Sequence, residues 1–213
     1  YGNVCDVEGI DYIAKKYGLK VVYDAAHTFG ERYKGKGIGE FGDASMFSFH
    51  ATKVYNTIEG GAVAYKDEEF GKILYQLKNF GIKNEEVVDG GGANAKMNEF
   101  QAAMGLCNLR YIDKSILSRK LAYERYLDNL SNLPGVRLPS LEKDLVPNYA
   151  YFPIVIDEKK FGYTRNEVMD HLKNNNIYAR KYFYPLTNEF SCFHGKYDVS
   201  QTPIALGISK RVL

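Results

Sequence analysis

Lys53 stands between an apolar stretch and a glycine pair, in Ser48-Phe49-His50-Ala51-Thr52-Lys53-Val54-Tyr55-Asn56-Thr57-Ile58-Glu59-Gly60-Gly61. A second turn lies upstream, Val21-Val22-Tyr23-Asp24-Ala25-Ala26-His27-Thr28-Phe29-Gly30. The first offers an amine in a turn after one strand, the second a carboxylate at the end of another. These are the two protein groups that a pyridoxal phosphate (PLP) site requires. The amine forms a Schiff base with the aldehyde, and the carboxylate keeps the ring nitrogen protonated so that the ring draws electrons. Gly60 and Gly61 permit a tight turn and close backbone approach beside the lysine.

Taken singly, each residue has a plainer reading. A lone lysine is ordinarily solvated, and an aspartate after a strand is ordinarily a helix cap. Ser48 alone is a strand-end hydroxyl bonded to its own backbone. His27 alone is a packed histidine, and Asn94, after Gly90-Gly91-Gly92, is a turn former. Their company and order carry the chemical reading.

The elements around them follow from pattern. Asp6 to Gly18 reads as a capped helix with apolar residues at Val7, Ile10, Ile13 and Ala14, a basic last turn and a glycine stop. Leu19 to Tyr23 reads as a strand buried on both faces of a parallel sheet. Ala44 to Phe49 and Gly61 to Tyr65 are further strands and Asp67 to Phe80 is a helix, giving an α/β layer. Asn98 to Leu130 reads as one long helix, ended at Pro134-Gly135. A smaller α+β unit follows: a strand at Tyr149 to Ile156, a helix at Arg165 to Asn174 capped by Thr164, and a strand near Ile177 to Tyr182. The expected division is a large domain over 1–97, a connecting helix over 98–133 and a small domain over 134–213.

With 45% hydrophobic and 25% charged residues, the 213-residue chain has enough apolar mass for a real core. A net charge of +2, with basic and acidic residues interspersed, recommends no nucleic-acid partner. No apolar run is long enough for a membrane span, and no signal peptide is visible. Cys5, Cys107 and Cys192 are odd in number and widely spaced, so they read as reduced, mostly buried thiols of a cytoplasmic protein, with no metal framework. The chain opens at Tyr1 without methionine and closes in an amphipathic stretch, and reads as a piece of a longer protein.

Five segments in order resemble one family: YGNVCDVEGI, VVYDAAHTFG, FGDASMFSFHATKVYNTIEGGAVAY, NAKMNEFQAAMG and IYARKYFYPL. The chain is similar to the DegT/DnrJ/EryC1/StrS sugar aminotransferases, PLP enzymes of the aspartate aminotransferase (type I) fold. The resemblance makes Lys53 the Schiff-base lysine and proton shuttle, and Asp24 the partner of the pyridine nitrogen. It places His27 near the ring and Ser48 on the phosphate. Asn94 would reach the phosphate of the neighbouring subunit in a homodimer with shared sites. Arg180 and Tyr184 lie where the family's small domain faces substrate. The implied activity is transfer of an amino group, with glutamate as donor, to a nucleotide-linked (dTDP) keto-deoxysugar for surface polysaccharide. Relative to the members that aminate carbon 4, Tyr55 replaces Phe and Ala95 replaces Gly; a 3-amino product is the near alternative. Two rival readings are a PLP-dependent sugar dehydratase, in which histidine would replace Lys53, and a catalytically silent fragment serving as a binding or assembly module. The family's N-terminal third, with its other phosphate-binding turn, has no counterpart in these residues, which should leave a sheet edge exposed.

Overall fold

The computed structural model describes residues 1–213. In chain order the elements are α1 (Val7–Tyr17), β1 (Val22–Asp24), β2 (Arg32–Tyr33), β3 (Lys36–Gly37), β4 (Ala44–Ser48), β5 (Gly61–Tyr65), α2 (Glu68–Leu77), α3 (Glu99–Leu109), α4 (Ile112–Leu130), β6 (Val136–Arg137), β7 (Leu145–Val146), β8 (Val155–Ile156), α5 (Glu158–Phe161), α6 (Arg165–Asn174) and α7 (Pro203–Ser209). They form two compact units. The first is Tyr1–Lys120 with Leu141–Ala150, and the second is Leu121–Ser140 with Tyr151–Leu213.

In the first unit, α1 forms where the sequence places its signals. The Asp6 carboxylate accepts the Gly9 N–H at 3.0 Å, and Gly18 ends the helix in the left-handed region at φ 63°. Val7 packs with Val4, Ala25 and Ile38 into a core flanked by Tyr23, Tyr33, Phe41, Phe47 and Leu145. Each valine or isoleucine side chain contributes about 1.5–3 kcal/mol when fully buried. The sheet order is β1-β4-β5, with β1 parallel and β5 antiparallel to β4. Asp43 ties the entry of β1 to that of β4: its carboxylate accepts the Val21 N–H at 2.8 Å, and its own N–H donates to Val21 O at 2.8 Å. A second small sheet, β3-β2-β7, brings residues 145–146 beside 32–33.

In the second unit β6 pairs with β8, and Val155 also bridges Val212. The guanidinium of Arg165, buried at the start of α6, donates to Ser209 O at 3.2 Å and Val212 O at 2.7 Å. It thereby closes the carbonyl end of α7.

Several expectations need correcting. The first strand begins at Val22 rather than Leu19, because Leu19 N–H still bonds back to Ala14 O as part of the helix cap. It is not buried on both faces: Val22 is 64% exposed, on the outer edge of the sheet. The long helix is broken at Arg110-Tyr111, with no glycine or proline there. The Asn108 side chain at the end of α3 donates to Asn56 O at 2.8 Å, a tertiary anchor that local pattern does not reveal. Tyr149 to Ile156 yields only the two-residue β8, and Ile177 to Tyr182 forms no strand. The side chain of Tyr182 instead stacks on Tyr151, centroids 5.6 Å apart. All three cysteines are exposed, against the expectation of mostly buried thiols. No helix is long and apolar enough to cross a membrane.

Candidate active site

The parallel pairing of β1 with β4 sets Asp24 beside Met46 and brings both strands to an end on the same side of the sheet. Beyond β1 the chain turns at once. The Asp24 carboxylate accepts the Ala26 N–H at 3.1 Å, while Ala25 N–H donates to Met46 O at 2.8 Å. This Asx turn delivers His27 next to the segment that follows β4.

That segment, residues 48–61, is built from its own polar groups. His50 N–H lies 3.4 Å from the Ser48 hydroxyl, and Lys53 N–H donates to His50 O at 2.9 Å. Thr52 N–H lies 3.2 Å from His50 Nδ1, and His50 Nε2 lies 3.5 Å from the Glu59 carboxylate. Phe49 N–H to Gly60 O at 2.8 Å and Thr57 N–H to Phe49 O at 2.9 Å close the loop on itself. Thr57, 1% exposed, donates its hydroxyl proton to Glu59 O at 2.7 Å.

An aromatic clasp joins the two turns. Phe29 stacks on Tyr55 at 4.4 Å and meets Phe49 edge-on at 5.4 Å, and Phe49 meets Tyr55 at 4.7 Å. Such pairs add about 0.5–1.5 kcal/mol each beyond area burial. From below, α3 approaches through Gly105. A Cβ there would lie 2.7 Å from the Tyr55 hydroxyl and 2.9 Å from Thr57 Cγ2, so only glycine allows this approach.

Lys53 and Asp24 both act electrostatically on His27. His27 is held down to about 4, mainly by burial, then by the positive charges of the Tyr1 amino group and Lys53, with Asp24 acting in the opposite direction. The ring is therefore neutral at pH 7, within range of both the amine and the carboxylate. Ser48 and Lys53 line one open cleft of about 1000 Å³, together with Ala26, Gly60, Gly61 and Met97. Asp24 and His27 do not line this cleft. Asn94 is exposed and bridges Asn79 by backbone, immediately before the cleft-lining Ala95, Lys96 and Met97. Arg180 and Tyr184 belong to the second unit; Tyr184 has the Arg165 guanidinium 5.0 Å from its ring centroid.

Sequence reasoning missed four groups here. Lys78, Lys96 and Gln101 line the cleft, and Lys96 donates to Asn79 Oδ1 at 2.9 Å. Nothing in their local sequence separates them from solvated helix and loop residues. The fourth is Glu31, buried behind the His27 turn although it lies in the charged run Glu31-Arg32-Tyr33-Lys34, which reads as a solvated face.

Comparison with known proteins shows the family and the fold. Residues 1–213 match the DegT/DnrJ/EryC1/StrS aminotransferase family. The chain is 39% identical over 213 residues to a dTDP-4-amino-4,6-dideoxy-D-glucose transaminase of Shigella dysenteriae, matching 100% of this chain and 58% of the relative. It is 38% identical to the enzyme of that name in Escherichia coli, with the same shares. The chain thus spans a little over half the length of the curated relatives it matches. Among solved structures, DesI in the presence of its TDP-sugar product superposes with a TM-score of 0.89 at 34% identity, covering 100% of this chain and 54% of that one. The PLP form of a putative sugar aminotransferase, Spr1654 of Streptococcus pneumoniae, gives 0.87 at 21% identity over 99% of this chain and 59% of that one, a likeness of fold alone. The fold is that of the PLP-dependent sugar aminotransferases, and the chain belongs to the DegT/DnrJ/EryC1/StrS aminotransferase family.

Proposed function

We propose that these residues form the catalytic part of a PLP-dependent transaminase that aminates a dTDP-linked keto-deoxysugar, with glutamate as donor, in the cytoplasmic synthesis of surface polysaccharide. The observation that carries the reading is that the turns after β1 and β4 are clasped together by Phe29 on Tyr55, with a neutral His27 under the electrostatic influence of both Lys53 and Asp24. The donor set fits the cofactor: an amine for the aldehyde, a carboxylate for the ring nitrogen, and Ser48 for the phosphate. Close backbone packing beside the amine fits as well, since a Cβ on Gly61 would lie 2.8 Å from Phe47 O.

Bound here, PLP supplies an electron-withdrawing ring that disperses the charge left when a proton leaves the substrate carbon. The chain's own residues do the rest. Lys53 takes the proton from the substrate carbon of the donor and returns one to the sugar carbon. Asp24 holds a negative charge toward the ring nitrogen, and His27, being neutral, adds no competing positive charge. Ser48 and, from a partner subunit, Asn94 hold the phosphate. Arg180 and Tyr184 would contact the sugar nucleotide; in this reading the small domain is residues 134–213, the large domain 1–97, and 98–133 connects them along the chain. Donor and acceptor use one site in turn, so the kinetics should be ping-pong. Relatives named as dTDP-sugar transaminases, and a neighbour solved with a TDP-sugar product, support this substrate class. Retention of lysine at 53 speaks against the dehydratase reading, and the intact pair with Asp24 against a silent module.

Borohydride reduction of the PLP-loaded full-length protein, followed by peptide mapping, should place the pyridoxyl group on Lys53. A label on Lys34 or Lys66 would refute the assignment.

A further inference from the structure

Behind the His27 turn lies a buried polar pair that the aminotransfer chemistry does not use. Asn148 is 1% exposed and Glu31 is 4% exposed. The Asn148 side-chain amide donates to His27 O at 2.8 Å and to Phe29 O at 3.0 Å, and its Oδ1 accepts the Ala150 N–H at 2.9 Å. Asn148 N–H donates in turn to Glu31 Oε1 at 3.2 Å. The pairing of β7 with β2 carries residues 145–146 alongside 32–33 and so delivers Asn148 to this place. On the far side Gly2 closes the site: a Cβ there would come within 2.8 Å of Glu31 Oε1 and 3.7 Å of His27 O.

Two features distinguish this from packing. Glu31 Oε2 is buried with no hydrogen-bond partner, a costly arrangement that an apolar residue of the same volume would avoid. And the Asn148 amide gives both of its N–H donors to the backbone of one three-residue stretch, His27 to Phe29. That stretch bears the imidazole that feels the charge of Lys53 and the ring that stacks on Tyr55. Fixing two carbonyls two residues apart sets both the position and the rotation of the intervening peptides, and hence the direction in which the His27 side chain leaves the backbone.

We propose that Asn148, held by Glu31, is a positioning residue that fixes the His27 turn and so sets the direction of the imidazole. What the positioned ring serves rests on the cofactor reading above; the clamp itself does not. With the clamp broken, the turn loosens, water reaches the ring, and the burial that holds His27 near 4 is relieved.

The test uses full-length apoprotein, with His27 titrated by NMR and amide exchange followed over residues 27–31. Asn148→Ala and Glu31→Ala should raise the His27 pKa toward its ordinary value of about 6.5 and speed exchange in the turn by about tenfold or more. Glu31→Gln, which keeps the acceptor for Asn148 N–H, should leave both as in the wild type. If Asn148→Ala does not fold, the contrast between Glu31→Ala and Glu31→Gln decides. An unchanged His27 titration and unchanged exchange in the folded alanine variants would overturn the proposal, as would equal effects of the two Glu31 variants. PLP affinity, measured alongside, separates the two readings. A loosened turn with weakened PLP binding supports both, whereas a loosened turn with unchanged binding keeps the clamp and removes His27 from the cofactor site.

Discussion

The two titratable groups of the His27 turn should pull stability in opposite directions as pH changes. Burial raises the Glu31 carboxyl from 4.5 to about 7, only partly countered by the Asn148 N–H and the Tyr1 amino group. Between those values the folded protein keeps a proton that the unfolded chain has lost, so Glu31 favours folding below pH 4.5 and that advantage is lost as pH rises to 7. The ceiling is about 3 kcal/mol, at about 1.4 kcal/mol per pH unit. His27, lowered from 6.5 to about 4, behaves conversely. Its contribution is present above pH 6.5 and lost as pH falls toward 4, by a smaller amount, because the ring is only partly buried and water screens it. In the wild type the two slopes offset each other between pH 4.5 and 6.5. Glu31→Gln removes one of them while keeping the acceptor for Asn148. Urea unfolding of the full-length apoprotein at a series of pH values should therefore show a steeper rise of stability with pH in the variant. At pH 8 the variant should exceed the wild type by about 1–3 kcal/mol, and near pH 4.5 the two should converge. Parallel curves from pH 4.5 to 8 would refute the placement of a raised carboxyl in this site.

Asp24→Asn should still bind PLP yet lose at least about tenfold in transamination rate, because an amide supplies no negative charge to favour the protonated ring; turnover within twofold of wild type would remove Asp24 from that role. Gly105→Ala should cost about 1–2 kcal/mol net in thermal unfolding, since overlap with Tyr55 and Thr57 outweighs a helix-propensity gain of up to about 1 kcal/mol. The same change should disturb the Lys53 loop, read as a shifted visible band of bound PLP. Mixing inactive Lys53→Ala with inactive Asn94→Asp subunits should restore part of the activity, because one site of the mixed dimer holds both native residues; no recovery despite proven subunit exchange would place Asn94 outside the partner's site.

Where local chemistry is decisive, the residues determine their own structure. Asp6 and Gly18 bound α1, Thr164 caps α6, and Asn98 with Gln101 forms the reciprocal cap that opens α3, at 2.9 and 3.0 Å. Each depends on groups within three or four positions of the backbone atoms they satisfy. Ala44 to Ser48 and Gly61 to Tyr65 likewise form the strands that their apolar runs indicate. Asp24 at the end of β1 and Lys53 in the segment between β4 and β5 stand where the apolar runs before them end, which is as far as local pattern places them. The break of the long helix at Arg110, the side-chain stacking of Tyr182 in place of a ladder, and the burial of Glu31 and Asn148 were not legible. Each depends on a contact with residues far along the chain: Asn108 with Asn56, Tyr182 with Tyr151, and Asn148 with His27, Phe29 and Glu31. A glutamate in a charged run looks solvated until a strand more than a hundred residues later folds over it. The sequence determined which positions carry an amine, a carboxylate or an imidazole, and the tertiary structure decided which of them lose water, because desolvation is a property of neighbours in space rather than of neighbours in the chain.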